Sequence, residues 1–398
     1  METQPRIRFT WTEILVGALV LGLLFLIFAP AMQRTGRVPG ARSQCKNNLA
    51  NLGKALHNYN SGLGSFPPGA IYSESTITAD GSATLTMRGF QQTGFASLMP
   101  YLEASAITNI WVRKRPWHEQ PPEYCVARMP VFECPTNADA KSPAEEPFLQ
   151  IVGRLSGGQH GNRFGITSYV FCKGVTDAWC LTPGNVQPWK NMAAGDLTAV
   201  ASTERGMFDV AFPAADNLAG GPFVTTIATI SDGTSNTIAM GEAWQGPDWP
   251  LTTRGHRNFT GPRKAVQSPD GAEYPAYQLW ALPPNTSEGV NQGLYLASVF
   301  GCTLEPLGTN PVTHTVIETD PADLLNCRAS LDWDGPAGPA RGGGVHRTSN
   351  FRADHNGGAH FLLADSSVHF ISNDIDLKVY RAMSTIAGDE GEINSYPP

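Results

Sequence analysis

An uncharged run of twenty residues, Ile14 to Gln33, constrains this chain more than any other feature. As a helix rising ~1.5 Å per residue it would reach across a hydrocarbon core about 30 Å thick. Glu13 stands at its mouth, and Arg6 and Arg8 precede it. A lone carboxylate carried deep into lipid costs roughly 2.5 kcal/mol or more, so Glu13 asks for a cationic partner. The free amino terminus of a neighbouring subunit would serve. The run therefore predicts a membrane helix over about 11–33. Two plainer readings stand beside it: an ordinary anchor, and a secretory signal with Ala29-Pro30-Ala31 as a small-x-small cleavage site. The length of the run and the proline just before the cut argue against the signal.

Beyond this segment lies enough chain for one large or two ordinary domains. Charged residues make up 16% of the sequence, against roughly 25% in an average soluble protein. With 41 Gly and 31 Pro, the chain should be rich in turns and short strands rather than long solvated helices. A net charge of −7 leaves no nucleic-acid footprint. Cys45, Cys125, Cys134, Cys172, Cys180, Cys302 and Cys327 all follow the anchor, and none forms a C-x-x-C pair. That excludes a zinc ribbon or thioredoxin-like motif and suggests disulfides in an oxidising compartment. Arg34, Arg37, Arg42 and Lys46 after the run would by charge alone keep that side cytoplasmic, but long domains translocate largely regardless of charge.

Gly36, Pro39 and Gly40 should interrupt the helix. A second, amphipathic helix is expected over 41–60, with Cys45, Leu49, Leu52, Leu56 and Tyr59 forming one apolar stripe. Phe95 to Tyr101 reads as a short helix, and Thr108 to Gln120 as a mixed surface segment. Asn137 to Pro147 reads as an exposed loop. Thr167–Phe171, Gly206–Phe212, Phe223–Ile230 and Thr237–Met240 read as strands of a largely antiparallel sheet. Long irregular stretches cover 246–284 and 302–345. The chain closes with a hairpin over 359–372 and a helix over 374–385, whose apolar side carries Ile375, Val379 and Met383.

Two resemblances follow from these residues. Arg8-Phe9-Thr10-Trp11-Thr12-Glu13, leading into a long apolar helix, resembles the class III signal of type IV pilins and pseudopilins. That implies a short leader over 1–8, cleavage before Phe9 and an assembly role for Glu13, although Arg8 stands where that family has Gly. Gln44-Cys45 through Leu49 and on to Tyr59, Phe66-Pro67-Pro68-Gly69, Ile230 to Thr237 with Gly241-Glu242, and His355-x9-Asp365 together resemble the bacterial family called domain of unknown function 1559. Its members have prepilin-like N-termini and a terminal His-x9-Asp-Gly motif. Here Ser366 replaces that Gly, which suggests a changed turn type. The resemblance implies a pilin-like α+β protein: a membrane-spanning helix, then a large antiparallel β-rich extracytoplasmic domain over 61–398 with long loops. Because Cys45 lies on the apolar stripe and both residues sit in family-like motifs, Cys45 is expected to pair with Cys134. Cys125 with Cys134 is the competing choice, and Cys172–Cys180 and Cys302–Cys327 are the local pairs.

His355, His360, Asp365 and His369 could form a two-His, one-carboxylate metal or acid/base cluster. The plainer reading is that Asp365 closes an Asx-type turn and His355 bonds to a loop. Asp232-Gly233 and Asp332-Trp333-Asp334 are weak Ca²⁺ candidates, better read as turns. The sequence carries no convincing catalytic site, and neither a metal nor a cofactor is expected. The favoured function is a single-pass inner-membrane protein, N-terminus cytoplasmic and domain periplasmic or extracellular, with a structural, assembly or secretion role. Its expected partners are the membrane and other pilin-like subunits or secretion machinery. The alternatives are a tethered sugar-binding protein stacking ligands on Trp244, Trp249 and Trp280, and an extracytoplasmic enzyme using His355 and Asp365.

Overall fold

Helix α1 runs without a break over Trp11–Leu63 in the computed structural model, through Pro30 and through Gly36, Pro39 and Gly40, which were expected to interrupt it. Each interior proline removes one hydrogen bond and crowds one turn, a local cost that the turns on either side survive. The separate helix over 41–60 is thus the second half of α1. The structure describes residues 11–78, 84–112, 115–137, 142–145, 159–175, 205–211, 225–250, 252–253, 264–265, 275–282, 299–303, 305–310, 312–313, 350–353, 355 and 357–388. Within α1, the side chains of 13, 14, 17, 18 and 20–39 are outside the description. Among the described residues, no helix is long and apolar enough to cross a membrane. The leader-like segment over 1–8 and most of the long irregular stretches also fall outside.

The strands that position the site are β1 (Ala70–Thr78), β2 (Thr84–Thr93), β3 (Tyr169–Cys172), β4 (Val210–Ala211), β5 (Ile238–Glu242), β6 (Phe300–Gly301), β7 (Gly358–Leu363) and β8 (Val368–Ser372). A five-stranded sheet has the order β6-β3-β5-β7-β8. Its pairs are antiparallel except β6 with β3, which run parallel, so the sheet is mixed. β1 and β2 form an antiparallel hairpin, with β4 parallel to β1. The fold is α+β. Strands β3, β5 and β7 are buried along their whole length, which explains why they read as continuous apolar runs without alternation. Of the segment 223–230, the described part, 225–230, holds no strand but a single 3-10 turn, Ile227–Thr229, stapled by Thr226 and Thr229.

The second half of α1 seats on this sheet by the expected stripe, since Cys45, Leu49, Leu52, Leu56 and Tyr59 are all buried. Asn48 donates to the carbonyls of Pro130 and Glu133, and His57 Nε2 lies 2.8 Å from the Ala364 carbonyl. Gly53 faces the β7–β8 hairpin, and a Cβ there would stand 2.8 Å from Leu362 Cδ1. The following Phe66-Pro67-Pro68-Gly69 segment is buried. Gly69 permits this course, because any side chain there would run into the Phe300 ring.

Several expected surfaces are interior. Trp117 is buried against His160 and Phe164, so the Thr108–Gln120 segment is not simply a surface one. Ala144, within the segment expected to be an exposed loop, is buried and pairs with Phe164. The closing helix α2 is short, Leu377–Ala382, capped by the Asp376 carboxylate. It buries Tyr380 and Arg381 and leaves Val379 exposed, so that of the expected apolar side only Ile375 and Met383 pack against the core, each partly buried. Tyr380 carries the larger apolar surface and packs edge-on to Phe361. Phe370 on edge strand β8 is 40% exposed, with the Arg42 guanidinium 4.1 Å from its ring centre.

Candidate functional site

Glu242 ends β5 in an otherwise apolar strand and is completely buried. Strand register brings His360 of β7 to its side, and both the backbone N–H and the Nδ1 of His360 reach Glu242 Oε2, at 2.7 and 3.2 Å. Residues 350–353 run alongside the end of β5, with the Arg352 N–H donating to the Glu242 carbonyl and the Trp244 N–H to the Arg352 carbonyl. That course delivers His355, whose Nε2 donates to Glu242 Oε1 at 3.0 Å. Each carboxylate oxygen therefore has its own imidazole. Burial alone would raise the Glu242 pKa; the hydrogen bonds from His355 and His360 outweigh it and hold the carboxyl below its ordinary range.

The other wall of the site is the Cys45–Cys134 disulfide, with its Cα atoms 4.8 Å apart. This pairing was expected, and the competing Cys125–Cys134 bridge is excluded because Cys125 is a buried thiol. Cys134 is held beside β3 by its N–H to Ser168 Oγ, and Ser168 in turn accepts from the Ala243 N–H next to Glu242. Its Sγ lies 3.7 Å from Glu242 Oε1 and 4.0 Å from His355 Nε2. Thr136 Oγ1 stands 2.9 Å from the Cys134 sulfur and 3.4 Å from that of Cys45. The Tyr169 hydroxyl fixes the helix side by donating to the Cys45 carbonyl. One donor atom from each of Cys45, Cys134, Glu242 and His355 lies within 4.8 Å of the others.

The remaining residues singled out in the sequence fall elsewhere. Asp365 is exposed and accepts from the Ser367 N–H at 2.9 Å, an Asx-type turn. Burial is the largest single influence and pushes its carboxyl up, but the hydrogen bonds from Ser367, helped by His369 nearby, together hold it below the usual range. His355 does not bond to a loop as expected; its partner is Glu242. His355 and Asp365 thus serve different contacts. His369 is exposed, 3.0 Å from Ser367 Oγ. Ser366 keeps a left-handed φ of 71°, so the turn expected to change around the missing glycine does not avoid that conformation. Asp232 Oδ2 accepts from the Gly388 N–H and from Thr385, tying down the C-terminal segment, while Gly233 turns the chain at φ 93°. Trp244, Trp249 and Trp280 are buried, which removes the platform for stacking sugars.

Cys172 carries a buried thiol in place of the expected local bridge, and burial pushes its pKa up to about 12. Cys180 and Cys327 lie outside the described residues, as do Arg8, Phe9, Asp332-Trp333-Asp334 and the side chain of Glu13. Sequence reasoning places His360 among the cluster candidates and Gly241-Glu242 in a family motif, but misses Glu242 as the carboxylate that joins His355 and His360. The available signal was a lone polar side chain in each of two apolar strands, since a buried charge must find a partner.

The fold and this site define a class: an α+β domain built on a long N-terminal helix and pinned to it by a disulfide beside a buried Glu–His pair. The chain belongs to the family described as Protein of unknown function (DUF1559), whose family model matches residues 40–378. No curated protein and no solved structure matches it.

Proposed function

We propose that this is a pilin- or pseudopilin-like protein anchored in the inner membrane, with its N-terminus cytoplasmic and its domain periplasmic or extracellular. Its role is structural, in assembly or secretion, and not catalytic. The observation that carries the reading is the asymmetry of α1. Its second half seats one face on the sheet, whereas four apolar side chains described at its start are bare: Trp11 is 81% exposed, Leu15 67%, Val16 61% and Leu19 67%. Exposed apolar surface on one helix calls for lipid or for the helices of neighbouring subunits. The uncharged run Ile14 to Gln33 has the length for the first, and Glu13 has the charge to meet an amino terminus for the second. A structural role fits a Glu–His pair buried behind a disulfide. A net charge of −7 makes nucleic acid a poor partner.

Fractionation and protease treatment of spheroplasts test this directly. The full chain should stay with the membrane, and the region after residue 63 should be digested from outside. Recovery in the soluble fraction, or full protection of that region in intact spheroplasts, would refute the anchored orientation.

A further inference from the structure

We propose that Cys45, Cys134, Glu242 and His355 form a redox-gated Zn²⁺ site, in which metal replaces the disulfide when the two sulfurs are reduced. The four residues arrive from separate parts of the chain, and all are buried. Two thiolates, one imidazole and one carboxylate are a donor set for a borderline-soft divalent ion held tetrahedrally. With metal–sulfur bonds of ~2.3 Å and metal–nitrogen bonds of ~2.0 Å, neighbouring ligand atoms of such a site stand about 3.3–3.8 Å apart. The observed separations are 3.7 Å for Cys134 Sγ to Glu242 Oε1, 4.0 Å for Cys134 Sγ to His355 Nε2, and 3.0 Å between the latter two. Side-chain rotation at Cys45 supplies the remaining edge once the sulfurs part.

The surroundings match a ligand role. His360 occupies Glu242 Oε2 through two donors, so that Oε1 alone faces the sulfurs and the carboxylate is set to bind through one oxygen. Thr136 is placed to donate to a sulfur. In the gating step the S–S bond breaks, a dithiol reductant gives two electrons and two protons, and that reductant closes to its own disulfide. When Zn²⁺ enters, the two thiol protons pass to solvent. The hydrogen bond from His355 Nε2 to Glu242 Oε1 breaks and the imidazole shifts its proton to Nδ1. Two S–Zn bonds, one N–Zn bond and one O–Zn bond form. Disulfide and metal are then alternative clasps for one joint between α1 and the sheet.

The test uses the full chain in detergent, either oxidised or reduced by a phosphine that is removed before metal is added, and Co²⁺ as the probe. The reduced chain should bind one Co²⁺ with a thiolate-to-cobalt charge-transfer band that Zn²⁺ abolishes, and the oxidised chain should show no band. His355→Ala and Glu242→Gln should keep part of the band and weaken affinity by roughly 10-fold to 100-fold or more. If reduction alone unfolds the chain, recovery of helical circular dichroism on adding metal, together with the band, supports the site. A reduced chain with two titratable thiols at Cys45 and Cys134 and no band overturns it, folded or not. Affinity unchanged in both His355→Ala and Glu242→Gln overturns it as well.

Discussion

At the scale of single residues, the turn of the terminal hairpin carries an unrelieved cost. Ser366 holds φ at 71°, a conformation that costs an L-residue about 1–2 kcal/mol and costs glycine nothing comparable. The usual compensation, a local hydrogen bond from the side chain, is missing: Ser366 Oγ is buried with no partner among the described residues. Ser366→Gly should therefore stabilise the protein by about 1 kcal/mol. Denaturant titration should show a higher midpoint at unchanged slope; an equal or lower midpoint would mean that Ser366 makes a favourable contact with α1 at Gly53. By contrast, Asp365 earns its place one residue earlier, by holding the turn through the Ser367 N–H.

At the scale of elements, the two phenylalanines of the hairpin separate interior from rim. Phe361 is fully buried between Phe351 and Tyr380, and truncating such a ring typically costs about 3–5 kcal/mol. Phe370 stacks under Arg42 at the edge, where a cation–aromatic contact is worth about 0.5–1 kcal/mol. Phe361→Ala should thus leave little folded protein, while Phe370→Ala should shift the urea midpoint only slightly; comparable losses would contradict the assignment of faces. The hairpin was legible because its turn residues and apolar strands lie next to one another in sequence. So was the apolar stripe of α1 from Cys45 to Tyr59. The continuity of α1 was not, since Gly36, Pro39 and Gly40 argue locally for a break that one continuous helix overrides. Nor was the buried side of α2, where a helix of six residues is too short for periodicity to fix a face.

At the scale of the molecule, contacts far apart in sequence decide the site. Glu242 and His355 are 113 residues apart and meet only because residues 350–353 track the end of β5. No spacing rule reads such a pair from sequence, whereas Cys45 and Cys134 could be matched through their motifs. Their bridge closes a separation of 89 residues, for which the chain-entropy relation gives about 4.5 kcal/mol of stabilisation. Cys45→Ser together with Cys134→Ser should lower the free energy of unfolding by about that amount. Equal stability of the double variant and the oxidised parent would show that packing of α1 alone holds the joint.

The same bridge also determines how the protein answers to load. A pull applied through the N-terminal half of α1 enters the domain at Cys45, where it passes into Cys134 through a covalent bond. The intervening chain is bypassed, so the helix cannot be peeled from its seat turn by turn in the way a packed stripe would yield. Stretched between its two ends, the oxidised protein should hide the whole span between the cysteines, about 300 Å of contour length at ~3.4 Å per residue for a separation of 89 residues. Optical-trap records should show that length appearing only after reduction, and its appearance in oxidised molecules would mean that Cys45 and Cys134 are not bridged. A joint of this kind makes the domain a rigid load on a long helical shaft.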